Sequence, residues 1–600
     1  MTESNSIPTR DQVDDRYQWD LTKIYNSDKE WENELPALEV IESEISALKG
    51  KLSDGPHLVA NAFELQCKLF RSLEKLYIYA HLKSDQDLNN STYMGMQDRI
   101  QMISTRAQAA ISWMDPEILS LGDDKIVEIK NSEKMKPFLR SFEELIRFRP
   151  HTLTEKEERL LSLAAEPLGL AVKTFSVLNN ADLEFPTIED SEGKPTKISH
   201  ANYSLLLESK DRDLRSKAFN GLFSTYQRFK NTFASTLSGQ VKKHAFNAKI
   251  RNYPSALEAS LFQDAVDPTV YENLINCVHE ALPTFHKYLN HRKKVLGLDK
   301  LDMYDLHVSL LPDYDVKIGY DEACDLVVNS VAPLGKDYQE KLKTSFSDGW
   351  IDVYENKGKR SGAYSSGGYD TNPYILLNFS GNLNSVFTLA HELGHSLHSY
   401  YSREYQPYHY SRYKIFVAEV ASTTNEMLLH HHILNTSTDE NLKTALANHL
   451  CDSFKGTMVR QTMFGEFEKM IHEYAESGKA LTPDLLEASY CDLNKKYHGD
   501  AVEADPLIGM EWARIPHFYY NFYVYKYATG FAAAQFFSQM ILAGDKAGIE
   551  SYLKFLKSGG SKDPLDLLEE AGLDLRDPAP IRKSLQGFDQ SVNELITRLN

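Results

Sequence analysis

Cysteine is scarce: five in 600 residues, at 67, 277, 324, 451 and 491. None forms a C-x-x-C pair, so neither a disulfide framework nor a thiolate metal site is indicated, and free, buried thiols are expected. Basic charge is also short. Sixty-six Lys and Arg face 85 Asp and Glu, for a net charge of −19, which argues against nucleic-acid binding because that needs clustered cations. No run of about 18 consecutive apolar residues occurs, and the start, MTESNSIPTRDQVDD, lacks a basic segment followed by an apolar one. A cytoplasmic protein without membrane contact is expected.

What is abundant is helix-forming sequence, with 42% hydrophobic and 25% charged residues. Leu58, Ala62, Leu65, Leu69 and Leu73 form one amphipathic run in a helical region spanning 1–180. Residues 181–199 change character, and Gly193 and Pro195 suit a strand pair around a turn. The catalytic region is expected over 181–600. Glycines cluster again in SGAYSSGGYD, and the following YILLNF, from Tyr374 to Phe379, reads as a strand, with Pro373 suggesting a sheet edge.

The next segment, VFTLAHELGHSL, carries the chemistry. Val386, Leu389, Ala390, Leu393 and Leu397 share one helical face, expected to be core. His391 and His395, four apart, share another, so two imidazoles can meet one ion with Glu392 beside them. With 20 histidines in 600 positions, H-E-x-x-H would occur by chance only about 0.1 times. Catalytic zinc takes three protein ligands and keeps a position for water, so a third ligand is required downstream.

A metzincin needs a glycine at 398 and a histidine at 401, where this chain has His398 and Tyr401. The thermolysin and one-turn aminopeptidase spacings fall on Ile415 and Lys414. The remaining candidate is Glu419, on a second helix with Val417, Val420, Thr424 and Leu428 along one side. Glu426, two turns on, is placed to hydrogen-bond a ligand histidine's second nitrogen. His398 is expected to hydrogen-bond or to be partly buried, and His430, His431 and His432 to form a solvated run, since consecutive helix residues diverge.

Here the sequence resembles the thimet-oligopeptidase-like (M3) zinc metallopeptidases, and within them the oligoendopeptidase F group. The resemblance rests on HELGHSLHS and FVAEVASTTNE. YQWDLTKIYNSDKEWE, SGAYSSGGYDTNPYILLNFSGN, RIPHFYYNFYVYKYATG and FLKSGGSKDPLDLLEEAGLD extend it along nearly the whole chain. It implies a mainly α, zincin-like fold with two helical halves flanking a deep channel and a small β-sheet near the active site. It further implies one zinc per chain, oligopeptide substrates, and a strand before the zinc helix that pairs with extended substrate, through Tyr374 and Leu376 here.

Between Arg514 and Phe537, His517, Tyr520, Tyr523 and Tyr527 fall at helical offsets, a stripe able to present donors to a developing oxyanion. Related enzymes use a His and Tyr set from this region. His517, Tyr520 and Tyr527 are assigned to catalysis with Glu392, and Tyr523 to substrate contact. The expected activity is endopeptidase hydrolysis of short unstructured oligopeptides by a metal-activated water. An exopeptidase and a non-catalytic, zinc-stabilised peptide-binding protein remain the alternatives, and the oligomeric state is open.

Overall fold

The computed structural model describes residues 7–311, 314 and 316–600. The architecture is mainly α, with three small sheets. The chain forms two compact units, each drawn from three segments. One comprises Met1–Thr152, Val316–Ile433 and Phe537–Gly572; the other comprises Leu153–Asp315, Leu434–Phe536 and Leu573–Asn600. The helical N-terminal region of the sequence thus contributes to both.

In the first unit the amphipathic run becomes the Pro56–Gln86 helix, started by Pro56 in its first turn, where a missing N–H costs nothing. Ala62, Leu69 and Leu73 are buried, and Leu58 and Leu65 pack at the margin of the same core. That core also takes in Tyr374 and Leu376.

The expected strand pair forms in the second unit: β1 (Thr187–Glu189) runs antiparallel to β2 (Pro195–Lys197) around Gly193. There too, β3 (Leu301–Asp302) pairs in parallel with β7 (Val502–Glu503). The sheet that matters for the site lies in the first unit. It is built from β4 (Ile351–Asp352), β5 (Tyr364–Ser366) and β6 (Tyr374–Leu376), in the order β4-β6-β5.

This order corrects one expectation. The Tyr374–Leu376 strand is central, not an edge: Ile375 and Leu377 donate to Trp350 and Asp352 on one side, and β5 pairs on the other. Pro373 precedes the ladder, so its missing N–H removes no bond from it. The unbroken apolar YILL is what a strand covered on both faces requires. Tyr374 and Leu376 are 0% exposed and are therefore core residues, not substrate contacts. Of the two terminal strands, β4 is buried and β5 is partly exposed. Nor is the glycine-rich loop built for looseness. A Cβ on Gly367 would sit 2.7 Å from the Asn372 carbonyl oxygen, and the Gly367 carbonyl accepts from Arg403 at 2.8 Å.

One helical run, Lys156–Asp182, is long and apolar enough by length and composition to cross a membrane, although only 6% of that window is buried. Leu160, Leu163, Leu170 and Val177 are exposed on it.

Candidate metal centre

Two helices build the centre. The first, α1 (Leu383–Tyr405), starts at Asn382, whose side chain accepts the Ser385 N–H and caps the helix. Val386, Leu389, Ala390, Leu393 and Leu397 are all 0% exposed, which fixes the helix's rotation and leaves His391 and His395 on a half-covered face. The second, α2 (Ala418–Thr436), buries Val420, Thr424 and Leu428.

The helices cross at Gly394. A Cβ there would lie 2.5 Å from Ser422 Cα and 2.7 Å from the Ala421 carbonyl oxygen, so only glycine permits this approach. Glu419, one turn before that contact, reaches the histidines. His391 Nε2 and His395 Nε2 are 3.1 Å apart, and Glu419 Oε2 lies 3.4 Å from the first and 3.6 Å from the second. These three groups are the ones among the described residues whose donor atoms fall within 4.8 Å of one another in a metal-holding set. Glu426 Oε1 meets His391 Nδ1 at 2.5 Å, which fixes the ring and leaves Nε2 toward the cluster. Ser422 donates to Glu419 Oε2 at 3.3 Å.

The electrostatics fit a cation. Burial raises Glu392 above the usual carboxylate range, against the opposing pull of His391 and His395. Burial would depress His391, yet the Glu426 hydrogen bond and the charges of Glu426, Glu392 and Glu419 lift it to about 9. Burial also works to raise Glu419, but its hydrogen bond to His395 and both imidazoles hold it below its ordinary value. Three carboxylates around two imidazoles leave an excess of negative charge. A divalent cation answers the same excess, and a two-imidazole, one-carboxylate donor set suits zinc.

Two further histidine readings meet the structure. His398 is buried, with its ring stacked on Tyr413 at 3.8 Å, and burial pushes it down to about 3, so it stays neutral in the core. The expected solvated run at 430–432 is not one: His430 is 3% exposed and His431 and His432 are half-buried, because α2 is covered on nearly every side.

In the second unit the aromatic segment is not a single helix. A 3-10 turn, Pro516–Tyr519, is followed by Asn521 and Phe522 at φ 55° and 60°, and α3 begins only at Tyr525 (Tyr525–Leu542). The stripe expected from helical offsets nevertheless closes into a cluster. The His517 ring lies 5.6 Å from Tyr520, 5.9 Å from Tyr523 and 6.1 Å from Tyr527. Tyr520 is 54% exposed, whereas Tyr519 and Tyr525 are buried. Burial lowers His517 and keeps its imidazole neutral near pH 7.

Two consecutive left-handed non-glycine residues are costly, about 1–2 kcal/mol each, and the surroundings hold them. Buried Glu468 accepts the Phe522 N–H at 2.6 Å, Ser260 donates to the Asn521 carbonyl at 2.6 Å, and Gln240 donates to the Tyr519 carbonyl at 2.9 Å. Sequence reasoning missed Glu468 and Gly394. The glycine was visible inside the motif, but its reason lies in a partner helix 27 residues or more away along the chain.

Comparison with known proteins decides the family. The profile of peptidase family M3 matches residues 205–587, and that of oligopeptidase F matches 117–185.

The chain belongs to peptidase family M3.

It is 47% identical over 593 residues to oligopeptidase PepF of Bacillus subtilis, covering 99% of this chain and 88% of that protein. It is 40% identical to group B oligopeptidase PepB of Streptococcus agalactiae, covering 98% of each. Among solved structures, a peptidase from Chlamydophila abortus superimposes with a TM-score of 0.92 at 38% identity, over 99% of this chain and 100% of that one. Oligoendopeptidase F from Enterococcus faecium gives 0.75 at 38% identity, over 95% and 99%. This M3 peptidase is thus a mainly α metallopeptidase, and membership implies a catalytic metal.

Proposed function

We propose that this M3 peptidase is a zinc-dependent endopeptidase cutting internal bonds of short unstructured oligopeptides, with one zinc held by His391, His395 and Glu419. The reading rests on the meeting of His391 Nε2, His395 Nε2 and Glu419 Oε2, with Glu392 buried beside them. When bound, zinc supplies Lewis acidity, lowering the pKa of water to about 7 and polarising the scissile carbonyl.

The protein's own groups do the rest. Glu392, its carboxylate made more basic by burial, accepts the proton of the attacking water and passes it to the leaving amine. Glu426 keeps the His391 ring oriented. His517, Tyr520 and Tyr527 donate hydrogen bonds to the developing oxyanion, and Tyr523 contacts the substrate; their gathering into one partly exposed cluster supports those roles. For an extended substrate, the strand to pair with is β5, the partly exposed terminal strand, which Ser365 ties to α1 through a 2.8 Å hydroxyl contact with Ser396, the residue after His395. Five free cysteines suit a reducing cytoplasm.

The test is cleavage of an internally quenched oligopeptide with both termini blocked, before and after chelation and zinc restoration, with the cut mapped by mass spectrometry. Internal cleavage lost on chelation and restored by zinc is expected. Cutting only when a terminus is free makes the protein an exopeptidase, and zinc binding without cleavage makes it a peptide-binding protein.

A further inference from the structure

The second unit encloses a cavity of about 180 Å³ that the peptidase chemistry does not use. Every residue lining it belongs to that unit, whereas His391, His395 and Glu419 all belong to the other. One part of its wall is apolar, formed by Leu207, Phe219, Phe223, Phe285, Met303 and Met463. An engineered apolar cavity of about 150 Å³ takes up benzene, so the space suits a branched aliphatic or aromatic group.

The polar part of the wall is chemically divided. Lys455, Arg460 and Arg514 face it against a single carboxylate, Glu511, in a chain whose net charge is −19. Arg460 is paired with Glu511, whose other oxygen accepts from Tyr490 at 2.7 Å. Lys455 donates to the Leu306 carbonyl and to Asp452, both at 2.6 Å, leaving its third N–H. Arg514 approaches Glu511 only at 4.0 Å and makes no hydrogen bond among the described residues; its guanidinium lies over Tyr203 at 5.0 Å. A guanidinium with its N–H fork unspent is built to receive a carboxylate.

Acceptors come from one turn of the Pro483–His498 helix. The Asn494 side chain is 0% exposed, its amide N–H₂ donates to the Tyr490 carbonyl at 3.0 Å, and its Oδ1 has no partner among the described residues. His498 Nδ1 is 3.0 Å from the Asn494 carbonyl oxygen. A carbonyl can only accept, so Nδ1 carries the proton and Nε2 is left as a second acceptor. Burial holds His498 down to about 4 and, with Lys455 and Arg460 adding repulsion, His307 to about 3, so neither imidazole competes as a cation. Lys455 sits on a π-helical turn, Phe454–Val459, a local irregularity that recurs at functional sites.

We infer that this cavity is a binding site for a small zwitterion with an apolar side chain, of the class of branched and aromatic α-amino acids. The carboxylate meets Arg514 and Lys455, the ammonium meets Asn494 Oδ1 and His498 Nε2, and the side chain packs against the apolar residues of the wall. No bond is made or broken.

The test is calorimetric titration of the full-length, zinc-loaded protein with L-leucine and L-phenylalanine, using glycine and 4-methylpentanoate as probes lacking the side chain and the ammonium. One site per chain is expected. Each truncated probe should bind about 10-fold or more weakly, and Arg514→Gln and Asn494→Leu should each weaken leucine by a similar factor. Binding must survive removal of the metal by chelation, which separates this site from binding at the peptidase centre. Met463→Trp, filling the cavity, should abolish binding while circular dichroism and zinc content stay unchanged. No binding of either amino acid at about 10 mM, binding that disappears with the metal, or binding unaffected by Met463→Trp in the folded protein overturns the assignment.

Discussion

The two regions assigned to catalysis are made in opposite ways. His391, His395, Glu419 and Glu426 stand on two regular helices whose packing fixes their directions, and each is placed by its turn number. His517, Tyr520, Tyr523 and Tyr527 are gathered by a break, two left-handed residues held by Glu468, Ser260 and Gln240. Metal ligands need fixed separations, which helix geometry supplies. Donors to a transient charge need convergence from several directions, which one straight helix cannot give.

That contrast can be tested from its strongest effect downward. Glu392→Gln should leave zinc content and fold intact while kcat falls about 10³-fold or more, because size and polarity persist and the proton acceptor is lost; retained activity would remove Glu392 from the mechanism. His517→Ala should lower kcat about 10²–10³-fold with zinc content unchanged, and a loss of zinc on that substitution would show the two regions are not separate devices. Glu426→Gln should weaken zinc affinity about 10–100-fold, read by competition with a chromophoric chelator, with little change in kcat once zinc is saturating.

The smallest effect concerns the turn. Burial raises Glu468 to about 8, well above the carboxylate's ordinary 4.5. Between those values the folded state binds more protons than the unfolded one, so this group's contribution to stability is full below about pH 4.5 and is lost as pH rises through about 8. Denaturant titrations of the wild type and Glu468→Gln across pH 5–9 should show the slope flattened in the variant.

The same contrast explains what could be read from the chain. The pairing of His391 with His395 and the shared face of Glu419 and Glu426 were legible because i, i+4 and i+7 relations carry over directly into helix geometry, whereas Glu419 itself is reached only after the other ligand spacings fail. The core face of α1 was legible for the same reason. The central place of Tyr374–Leu376 was not, since a proline before a strand and a proline in its ladder look alike until the partners are known. Nor was the break in the aromatic segment: neither glycine nor proline marks it, and only Asn521, tolerant of left-handed backbone, hints at it. Whether His430 faces solvent depends on what covers α2, which no local pattern encodes.

The contact at Gly394 also settles when the site comes into being. Two backbones that touch there are held by the surrounding core, so Glu419 is brought to the imidazoles by the packing of α1 on α2. The ordering entropy of the three ligands is then spent before metal arrives. A metal removed by chelation should therefore be restored without the chain having to fold again, with circular dichroism unchanged throughout.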